Sequence, residues 1–575
     1  MKRLLSIVMA ALPLLASAQM SKNVTVDSVG QLSKQIETSE KFKISELKVS
    51  GPLNAADIKL LQQIVNRTKA NEKKGECLVT SVDISEAVFT DGKEAKPTNS
   101  LPNGLFSGAE KLTKVILPTG ITSLGKGCFE DCESLTEVQI PESVTSIDNE
   151  TFKDCKSLVS VTIPQGVTKI GEETFENCEA LTAIEIPESV TELGKQAFNG
   201  CKALANINII GKIKKIDNTT FKGCESLTSI TFPEGVKSIG NDAFRECKSL
   251  TTIELPEDVE EIGNSAFEDC ESLATIDMLK VKKVGSNAFE DCKSLSAATF
   301  DQISKLGSGV FKNCISLNNV TIQGSLDEIG SNTFQGCTSL STVSLPTSVK
   351  TIGSSAFEKC QSLGQIDLPT ALTKIGSGAF EDCATLREIV IPNMVKSIGS
   401  SAFEGCSTLD SVAINGIIQE IESKTFYRCN ALRHISLPAS VKKINDKAFQ
   451  ECSSLQGIDL PISLTTIGDD VFEKCSSLQS IKIPVAVTSI GSDAFMECTM
   501  LSQVDLSTSL KKIGGSAFAK CPSLKEVILN SPAPPSISKS TFKGSAPTFV
   551  IPRGSLPVYI AHKDWKTISG YKEKN

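Results

Sequence analysis

The stretch FEKCQSLGQIDLPTALTKIGSGA, residues 357–379, is one copy of a pattern that recurs along most of the chain. Of the 25 phenylalanines, 20 lie three residues before the recurring cysteine position. This regularity predicts a repeat solenoid of about 20 turns over residues 106–545. Of the 20 cysteines, 18 fall in one series with steps of 23 or 22 residues: Cys132, Cys155, Cys178, Cys201, Cys224, Cys247, Cys270, Cys292, Cys314, Cys337, Cys360, Cys383, Cys406, Cys429, Cys452, Cys475, Cys498 and Cys521.

Each copy contains a short segment in which apolar and polar residues alternate, for example residues 135–140 with Val138 and Ile140 as the apolar pair. The alternation predicts a β-strand with one buried face. Stacked copies then form a parallel sheet on one face of a curved rod, at about 4.8 Å per turn. A proline such as Pro141 follows in most copies, and it ends the hydrogen-bond ladder because it has no amide hydrogen.

A second apolar pair, such as Val144 and Ile147, predicts a return wall in each turn. A glycine follows the second residue of this pair in 14 of 18 copies. The exceptions Asp148, Asp217 and Asn445 are residue types that tolerate a left-handed backbone, whereas the fourth exception, Glu422, is not. We therefore expect a tight corner with positive φ at this position.

The phenylalanine and cysteine columns are expected to point into the solenoid, where rings stack and small thiols fill the space beside them. Disulfides between neighbouring turns are the alternative, because neighbouring turns are close enough and an exported protein meets oxidising conditions. The end copies carry Ala109 and Ser545 in place of cysteine, which favours packing. Cys77 and Cys128 lie outside the column, and a buried thiol is the expectation for Cys128 too.

The repeat resembles the BspA-like (Treponema pallidum-type) leucine-rich repeat, through Phe-x-x-Cys-x-Ser-Leu-x-x-Ile-x-Leu-Pro followed by Val-x-x-Ile-Gly. Residues 42–58 and 78–85 are similar to the cap region of such proteins in Bacteroidetes, and residues 549–555 to their closing segment. The resemblance implies a leucine-rich-repeat curved rod in a secreted or surface-associated protein that works in adhesion or other protein binding. It fixes no binding residues, because the motif consists of core positions.

The predicted organisation is a signal peptide (1–19), an N-terminal cap region (20–105), the repeats (106–545) and a C-terminal cap (546–575). A solenoid needs caps because each end of the stack exposes apolar surface. In the first cap, residues 54–65 have a helical pattern, with Asn54 as N-cap and Ile58, Leu61, Ile64 and Val65 on one face. In the last, Tyr559, Trp565 and Tyr571 are expected to seal the end.

The N-terminus has the pattern of an export signal, because Lys2 and Arg3 precede an apolar run (residues 4–15) and small residues at 16–18. We therefore expect a secreted or cell-surface protein, with no membrane insertion once the signal is removed. The net charge is −8 at pH 7. A chain without a general positive field is not expected to have nucleic acid or an anionic membrane surface as its main partner.

The sequence offers no catalytic pattern. Its two histidines, His434 and His562, have no sequence-local partner, and no nucleophile elbow, zinc-protease motif, phosphate loop or EF-hand loop is present. Cysteines 23 residues apart also lack the close spacing of zinc sites, and isolated carboxylates do not make a calcium cage. We therefore expect no enzyme activity, no cofactor and no metal site.

Function is expected on the outward side of the sheet, five and seven residues after each cysteine. These positions are polar and lack Trp, Tyr and Phe, which weighs against a sugar-stacking platform. We predict an adhesin-like protein that binds an extracellular or host protein; a structural rod without a specific ligand and a carbohydrate-binding protein remain as alternatives. The candidate contact residues are Glu254, Asp277, Asp367, His434, Asp459 and Asp505.

One irregularity interrupts the repeat. The two 22-residue steps, from Cys270 to Cys314, coincide with loss of the strand-ending proline, which is replaced by Leu279, Asp301 and Gln323. Residues 270–340 are therefore a second hypothesis for the place where a ligand binds, and neutral drift of the repeat is the alternative.

Overall fold

The computed structural model of the chain describes residues 20–66, 78–91 and 96–574, so the predicted signal peptide and Cys77 lie outside the described residues. The chain divides into two units: the first comprises residues up to 213 together with 219–233, and the second comprises 214–218 and 234 onward. Both units are stacks of turns joined by parallel strand pairs. In the first unit, for example, the strand at residues 160–161 pairs with the strand at residues 137–138. The predicted repeat solenoid is thereby confirmed.

In the described part of the first unit, a 3-10 helix lies at Leu32–Lys34 and an α-helix, α1, at Ala55–Val65. The strands of this unit are β1 (Met20–Thr25), β2 (Ile44–Leu53), β3 (Ser81–Asp83), β4 (Ala87–Asp91), β5 (Lys96–Pro97), β6 (Ser100–Leu101), β7 (Lys114–Ile116), β8 (Ser123–Leu124), β9 (Glu137–Val138), β10 (Ser146–Ile147), β11 (Ser160–Val161), β12 (Lys169–Ile170), β13 (Ala183–Ile186), β14 (Glu192–Leu193), β15 (Asn206–Ile209) and β16 (Ser229–Thr231).

The second unit contains a short helix, α2 (Leu556–Ala561), near its end. Its strands are β17 (Ser238–Ile239), β18 (Thr252–Ile253), β19 (Glu261–Ile262), β20 (Thr275–Ile276), β21 (Lys283–Val284), β22 (Ala297–Ile303), β23 (Lys305–Leu306), β24 (Asn319–Gly324), β25 (Glu328–Ile329), β26 (Thr342–Ser344), β27 (Thr351–Ile352), β28 (Lys374–Ile375), β29 (Glu388–Ile391), β30 (Ser397–Ile398), β31 (Ser411–Ile414), β32 (Glu420–Ile421), β33 (His434–Ser436), β34 (Lys443–Ile444), β35 (Gly457–Asp459), β36 (Thr466–Ile467), β37 (Ser480–Lys482), β38 (Ser489–Ile490), β39 (Gln503–Leu506), β40 (Lys512–Ile513), β41 (Glu526–Leu529), β42 (Thr548–Ile551) and β43 (Tyr571–Glu573).

Two parallel strand ladders join neighbouring turns. The first ladder contains the predicted strands; in it β13 pairs with β15, with Ile184 beside Ile207. The second ladder joins the return walls, where β10 pairs with β12 and Ile147 lies beside Ile170. The sequence predicts a sheet on one face and only an apolar wall opposite. The hydrogen bonds that make the opposite wall a second ladder were not predicted.

Within the repeats, the longest first-ladder strands occur in turns that lack the proline. Strand β11 has two residues and is followed by Pro164. Where the proline is replaced by Asp301 or Gln323, the strands β22 and β24 extend to seven and six residues. In the third turn without this proline, where Leu279 replaces it, β20 still has two residues, so loss of the proline permits a longer strand but does not by itself produce one.

The phenylalanine column forms the centre of the stack. Consecutive rings within a unit are stacked with centroids 5.1–5.6 Å apart, and the rings of Phe357 and Phe380 are within 1° of parallel. Beside them, each thiol donates a hydrogen bond to the carbonyl of the phenylalanine one turn earlier, as Cys383 Sγ does to Phe357 O (3.1 Å). All 19 cysteines of the described chain, including Cys128, are buried free thiols, which supports packing rather than disulfides.

The glycines that follow the second apolar residue of the return wall form a column, which we call the glycine column. The reason for glycine at this position differs from the predicted one. A Cβ on Gly376 would lie 2.5 Å from the backbone of Gly353 and Ser354 in the preceding turn, so glycine is required by close approach between turns. The expectation of positive φ at this corner, which rested on Asp148, Asp217 and Asn445, was wrong. Among the described residues, positive φ occurs at two other positions of the turn. One lies directly before the cysteine, as at Asp382 (φ 57°), and the other lies two residues after the glycine, as at Ser401 (φ 57°).

The N-terminal segment contains the predicted helix. Asn54 caps α1, and its side chain forms a reciprocal capping box with Asp57. The buried Asp57 carboxylate also accepts a hydrogen bond from the Leu32 amide (3.0 Å), which ties the helix to the preceding loop. Leu61, Ile64 and Val65 are buried, whereas Ile58 is only half-buried.

The C-terminal segment closes on aromatic residues. Trp565 and Tyr559 are buried, and their polar groups donate to Pro535 O (2.7 Å) and Ser531 O (2.8 Å). The Trp565 ring lies edge-on to Phe549 at 5.4 Å. Trp565 and Tyr559 are therefore packed into the C-terminal segment, whereas Tyr571 is half-buried.

Candidate binding surface

Strand alternation exposes one side of the first ladder in every turn. In β29, Glu388 and Val390 are exposed while Ile389 and Ile391 are buried, because successive side chains of a strand point to opposite faces. Outward residues of paired strands lie beside each other, as Val390 does beside Ala413. Within each unit, the outward residues of the paired strands therefore form two columns, which we call the outward face.

In the first unit, the outward face forms a shallow groove with a volume of about 590 Å³. Its polar lining includes Glu185 and Asn208, which lie side by side in the register of β13 and β15. The Asn208 amide donates to Glu185 Oε2 (3.2 Å). No aromatic side chain lines this groove, whose outward groups are hydroxyls, amides and one carboxylate.

In the second unit, the structure places all six predicted contact residues on the outward face. Five are exposed, and Asp505 is half-buried because its carboxylate accepts a hydrogen bond from Asn530 Nδ2 (2.6 Å). Asp367 is exposed in a turn where no strand is formed at this position. The exposed five are Glu254, Asp277, Asp367, His434 and Asp459.

The structure brings some of these residues together and keeps others apart. Strands β18 and β20 pair in register, so Glu254 and Asp277, which follow them, occupy neighbouring positions. Asp459 lies beside Ser436, two residues along the strand from His434. Asp505 lies beside Lys482. The six residues therefore extend along the face over many turns and do not form one compact site.

A second polar surface was not found by sequence reasoning. A cleft of about 880 Å³ in the second unit is lined by residues that directly precede the cysteines, among them Glu451, Lys474, Glu497 and Lys520. Their charges alternate from turn to turn, with Lys474–Glu451 at 3.0 Å and Lys520–Glu497 at 2.7 Å. The signal was present in the sequence as alternating charge at a period of 23.

Hydrogen bonds set the charge state of this cleft. Partial burial alone would raise the pKa of the Glu451 carboxyl, but hydrogen bonds from Lys474 and Arg428 outweigh it and hold that pKa below its usual value. The cleft carboxylates thus already have cationic partners from the chain itself. This leaves the outward face as the better candidate surface, because its Glu254, Asp367 and Asp459 carboxylates are exposed and have no ion pair among the described residues.

The described residues do not assemble a reactive centre. Burial raises the pKa of the column thiols, Cys383 for example, well above the usual value, which keeps them protonated and poorly nucleophilic. His434 lies exposed on β33, and His562 contacts Asp564 at 4.0 Å. Within the described ranges, no group of three or more His, Cys, Asp or Glu side chains is arranged to hold a metal ion.

The repeat pattern matches a family model described as the BspA type leucine rich repeat region, over residues 99–228, 214–340, 304–433 and 419–548. The chain belongs to this family. The leucine-rich-repeat class and the BspA-like resemblance predicted from the sequence are thereby confirmed, and a surface or secreted location is typical of BspA-type proteins. In the parts of the chain that the structure covers, no helix has the length and apolar character needed to cross a bilayer.

Several solved structures similar to this BspA-type chain come from bacteria. A leucine-rich repeat protein from Bacteroides ovatus is 30% identical, with 71% of this chain and 88% of that chain covered and a TM-score of 0.46. The T. pallidum leucine rich repeat protein is 34% identical, with 28% and 78% covered and a TM-score of 0.27. A leucine rich cell surface protein from Faecalibacterium prausnitzii is 26% identical, with 57% and 85% covered and a TM-score of 0.33. A comparison with curated proteins found no match.

Proposed function

We propose that this leucine-rich-repeat protein is secreted or surface-exposed and binds an extracellular protein through the outward face. The observation that carries the proposal is the row of exposed, mostly polar side chains that paired strands of the first ladder hold in register within each unit. The pairs Glu185–Asn208 and Ser436–Asp459 are examples from the two units. A row of side chains at a spacing of about 4.8 Å matches an extended protein surface better than a small molecule.

The chemistry of the face favours a broad polar contact. Its candidate groups are carboxylates, which accept hydrogen bonds from a partner's backbone amides and cationic side chains, and one imidazole, which can donate to or accept from a partner's backbone. Aromatic anchors, which usually supply the largest contributions to tight protein interfaces, are absent from its two columns. We therefore expect moderate affinity that depends on several turns at once.

The test uses residues 20–575 and a panel of extracellular matrix proteins and glycans. The sheet-face variant carries Asp367→Ser, His434→Ser and Asp459→Ser, all at exposed positions. The matched second-ladder variant carries Glu261→Ser, Glu328→Ser and Thr465→Ser, also exposed, and removes the same number of carboxylates from the opposite wall. Unchanged circular dichroism and melting temperature verify that both variants are folded.

The proposal expects saturable binding to at least one protein, weakened at least about tenfold in the sheet-face variant and unchanged in the second-ladder variant. Binding to glycans alone would contradict it in favour of carbohydrate recognition. The absence of any saturable ligand would contradict it in favour of a structural rod. Equal loss in both variants would place the contact elsewhere.

A further inference from the structure

The C-terminal end of the chain carries a charge opposite to that of the rest. Residues 507–575 contain eleven Lys and Arg but three Asp and Glu, a formal charge of +8. Because the whole chain carries −8, the residues before 507 carry −16. The overall negative charge argues against anionic partners for the chain as a whole, but residues 507–575 are strongly basic.

The few acidic groups of this segment already have partners. Glu573 accepts hydrogen bonds from the Gly554 and Leu556 amides (2.9 and 3.3 Å) at the start of α2. Glu526 accepts from Gln503 (2.7 Å), and Asp564 lies against His562. Exposed cations without an ion pair in the described chain are Lys511, Lys512, Lys525, Lys539, Lys543, Arg553, Lys563, Lys566 and Lys572.

Apolar side chains are exposed among these cations. Helix α2 is held by its buried Tyr559, and it presents Leu556, Val558 and Ile560 to solvent with 36%, 52% and 53% of their surface exposed. Arg553 precedes the helix, and Lys563 follows it. The rings of Phe542 and Trp565 contact each other at 6.3 Å, so the exposed residues that follow them, Lys543 and Lys566, lie at the same end.

We propose that this end, residues 553–566 with the neighbouring lysines, docks on a membrane surface containing anionic lipid. In this arrangement the three apolar side chains enter the boundary between headgroups and acyl chains, and the cations contact lipid phosphates. Exposed apolar residues flanked by Lys and Arg are the combination that drives interfacial binding, since buried apolar area and attraction to anionic lipid add to each other.

The charge pattern favours a bilayer over a second copy of the chain. Several carboxylates of the stacked turns stand beside cations of the next turn, as Glu451 does beside Lys474 at 3.0 Å, and the carboxylates of the outward face are spread over many turns. A bilayer with anionic lipid instead presents an unbroken negative surface together with an apolar layer beneath it. The docking adds to the proposed function, because it would leave the outward face free for a protein ligand.

The experiment measures cosedimentation of residues 20–575 with phosphatidylcholine vesicles that do or do not contain phosphatidylglycerol. One variant carries Lys563→Glu and Lys566→Glu, and another carries Val558→Ser and Ile560→Ser. Two control variants make the same kinds of change at exposed positions elsewhere: Lys396→Glu with Lys442→Glu, and Ile462→Ser with Val485→Ser. Circular dichroism verifies folding of all four.

We expect binding to the vesicles that contain phosphatidylglycerol, a loss of at least about tenfold in both C-terminal variants, and wild-type binding by both controls. No vesicle binding, equal binding to neutral vesicles, or equal losses in controls and C-terminal variants would overturn the proposal. Equally tight binding to immobilised polyglutamate would also overturn it, by assigning the end to an acidic protein. The assay contains no protein ligand, so its result is independent of the outward face.

Discussion

At the scale of single residues, the column cysteine satisfies a backbone acceptor. Its thiol donates to the phenylalanine carbonyl one turn earlier, as Cys406 Sγ does to Phe380 O (3.1 Å). The last copy of the repeat has Ser545 at this position, and its hydroxyl donates to Phe518 O in the same way (2.7 Å). A buried carbonyl without a donor costs free energy, so the column is specified by hydrogen bonding as well as by size.

Replacing Cys406 separates these two roles. We expect Cys406→Ala to lower the free energy of unfolding by about 2 kcal/mol, because it leaves a small void and removes the donor to Phe380 O. Cys406→Ser keeps a donor, as Ser545 does, and is expected to cost about half as much. The measurement is urea unfolding followed by circular dichroism. Equal stability of the alanine variant and the wild type would show that the hydrogen bond contributes nothing.

At the scale of the turn, spacing between neighbouring backbones decides which residues fit. The sequence predicted the strands and the inward columns, because apolar periodicity directly reports burial. It failed at the glycine corner, since the close approach of Gly376 to Gly353 is a contact between turns that no single repeat reveals. The second ladder was missed for a related reason: two-residue strands such as β10 have no alternation to detect.

The reason for the glycine column can be tested with a pair of substitutions. Gly376→Ala places a methyl group 2.5 Å from the preceding backbone, and we expect it to lower the free energy of unfolding by more than about 2 kcal/mol. In Gly364→Ala the nearest atom to the new Cβ is 3.9 Å away, and we expect a change within about 1 kcal/mol. Equal effects of the two substitutions in urea unfolding would argue against close approach as the cause.

The buried carboxylate of the N-terminal helix is a second test at this scale. Asp57 accepts from the Leu32 amide (3.0 Å) and from the Asn54 amide (3.1 Å), so Asp57→Ala leaves buried donors unpaired. We expect a loss of about 2 kcal/mol in the local stability of α1 and the preceding loop. Hydrogen exchange should show faster exchange at Leu32 and through α1. Unchanged protection there would contradict the assignment, and Lys59→Ala, an exposed change on the same helix, is the control.

At the scale of the whole molecule, the buried thiols couple stability to pH. Burial raises the pKa of Cys521 to about 11 and that of Cys360 further, whereas an exposed thiol in the unfolded chain titrates near 8.5, about its reference value. The raised pKa values stabilise the fold fully below about pH 8.5, and this stability is lost as the pH rises, because the unfolded chain then releases protons that the folded chain retains.

We therefore expect a thermal midpoint that stays constant from about pH 7 to 8 and falls steeply between about pH 9 and 11. Each buried thiol contributes about 1.4 kcal/mol per pH unit in this range, so the column acts collectively. Tyr559 and Tyr571 add to the effect at its upper end, because burial raises the pKa of Tyr571 to about 12 and that of Tyr559 further. A midpoint that is flat to about pH 10.5 would contradict the buried thiol column.

The predicted contact residues could be placed on the outward face from the sequence, since a position seven residues after a cysteine lies two residues from a buried strand position. Their relation to each other could not be predicted. Whether Asp505 is free or held by Asn530 depends on the last turns, which depart from the repeat. The charged cleft at Glu451 and Lys474 likewise depends on the spatial arrangement of the loops before each cysteine.

The most direct test of the account is the ratio of the dissociation constants of the sheet-face and second-ladder variants for the tightest protein ligand on the panel. The account predicts a ratio of at least about 10, with the second-ladder variant equal to the wild type, because only the outward face contacts the ligand. A ratio near 1 would contradict the central claim, since removing Asp367, His434 and Asp459 side chains would then have left the contact surface intact.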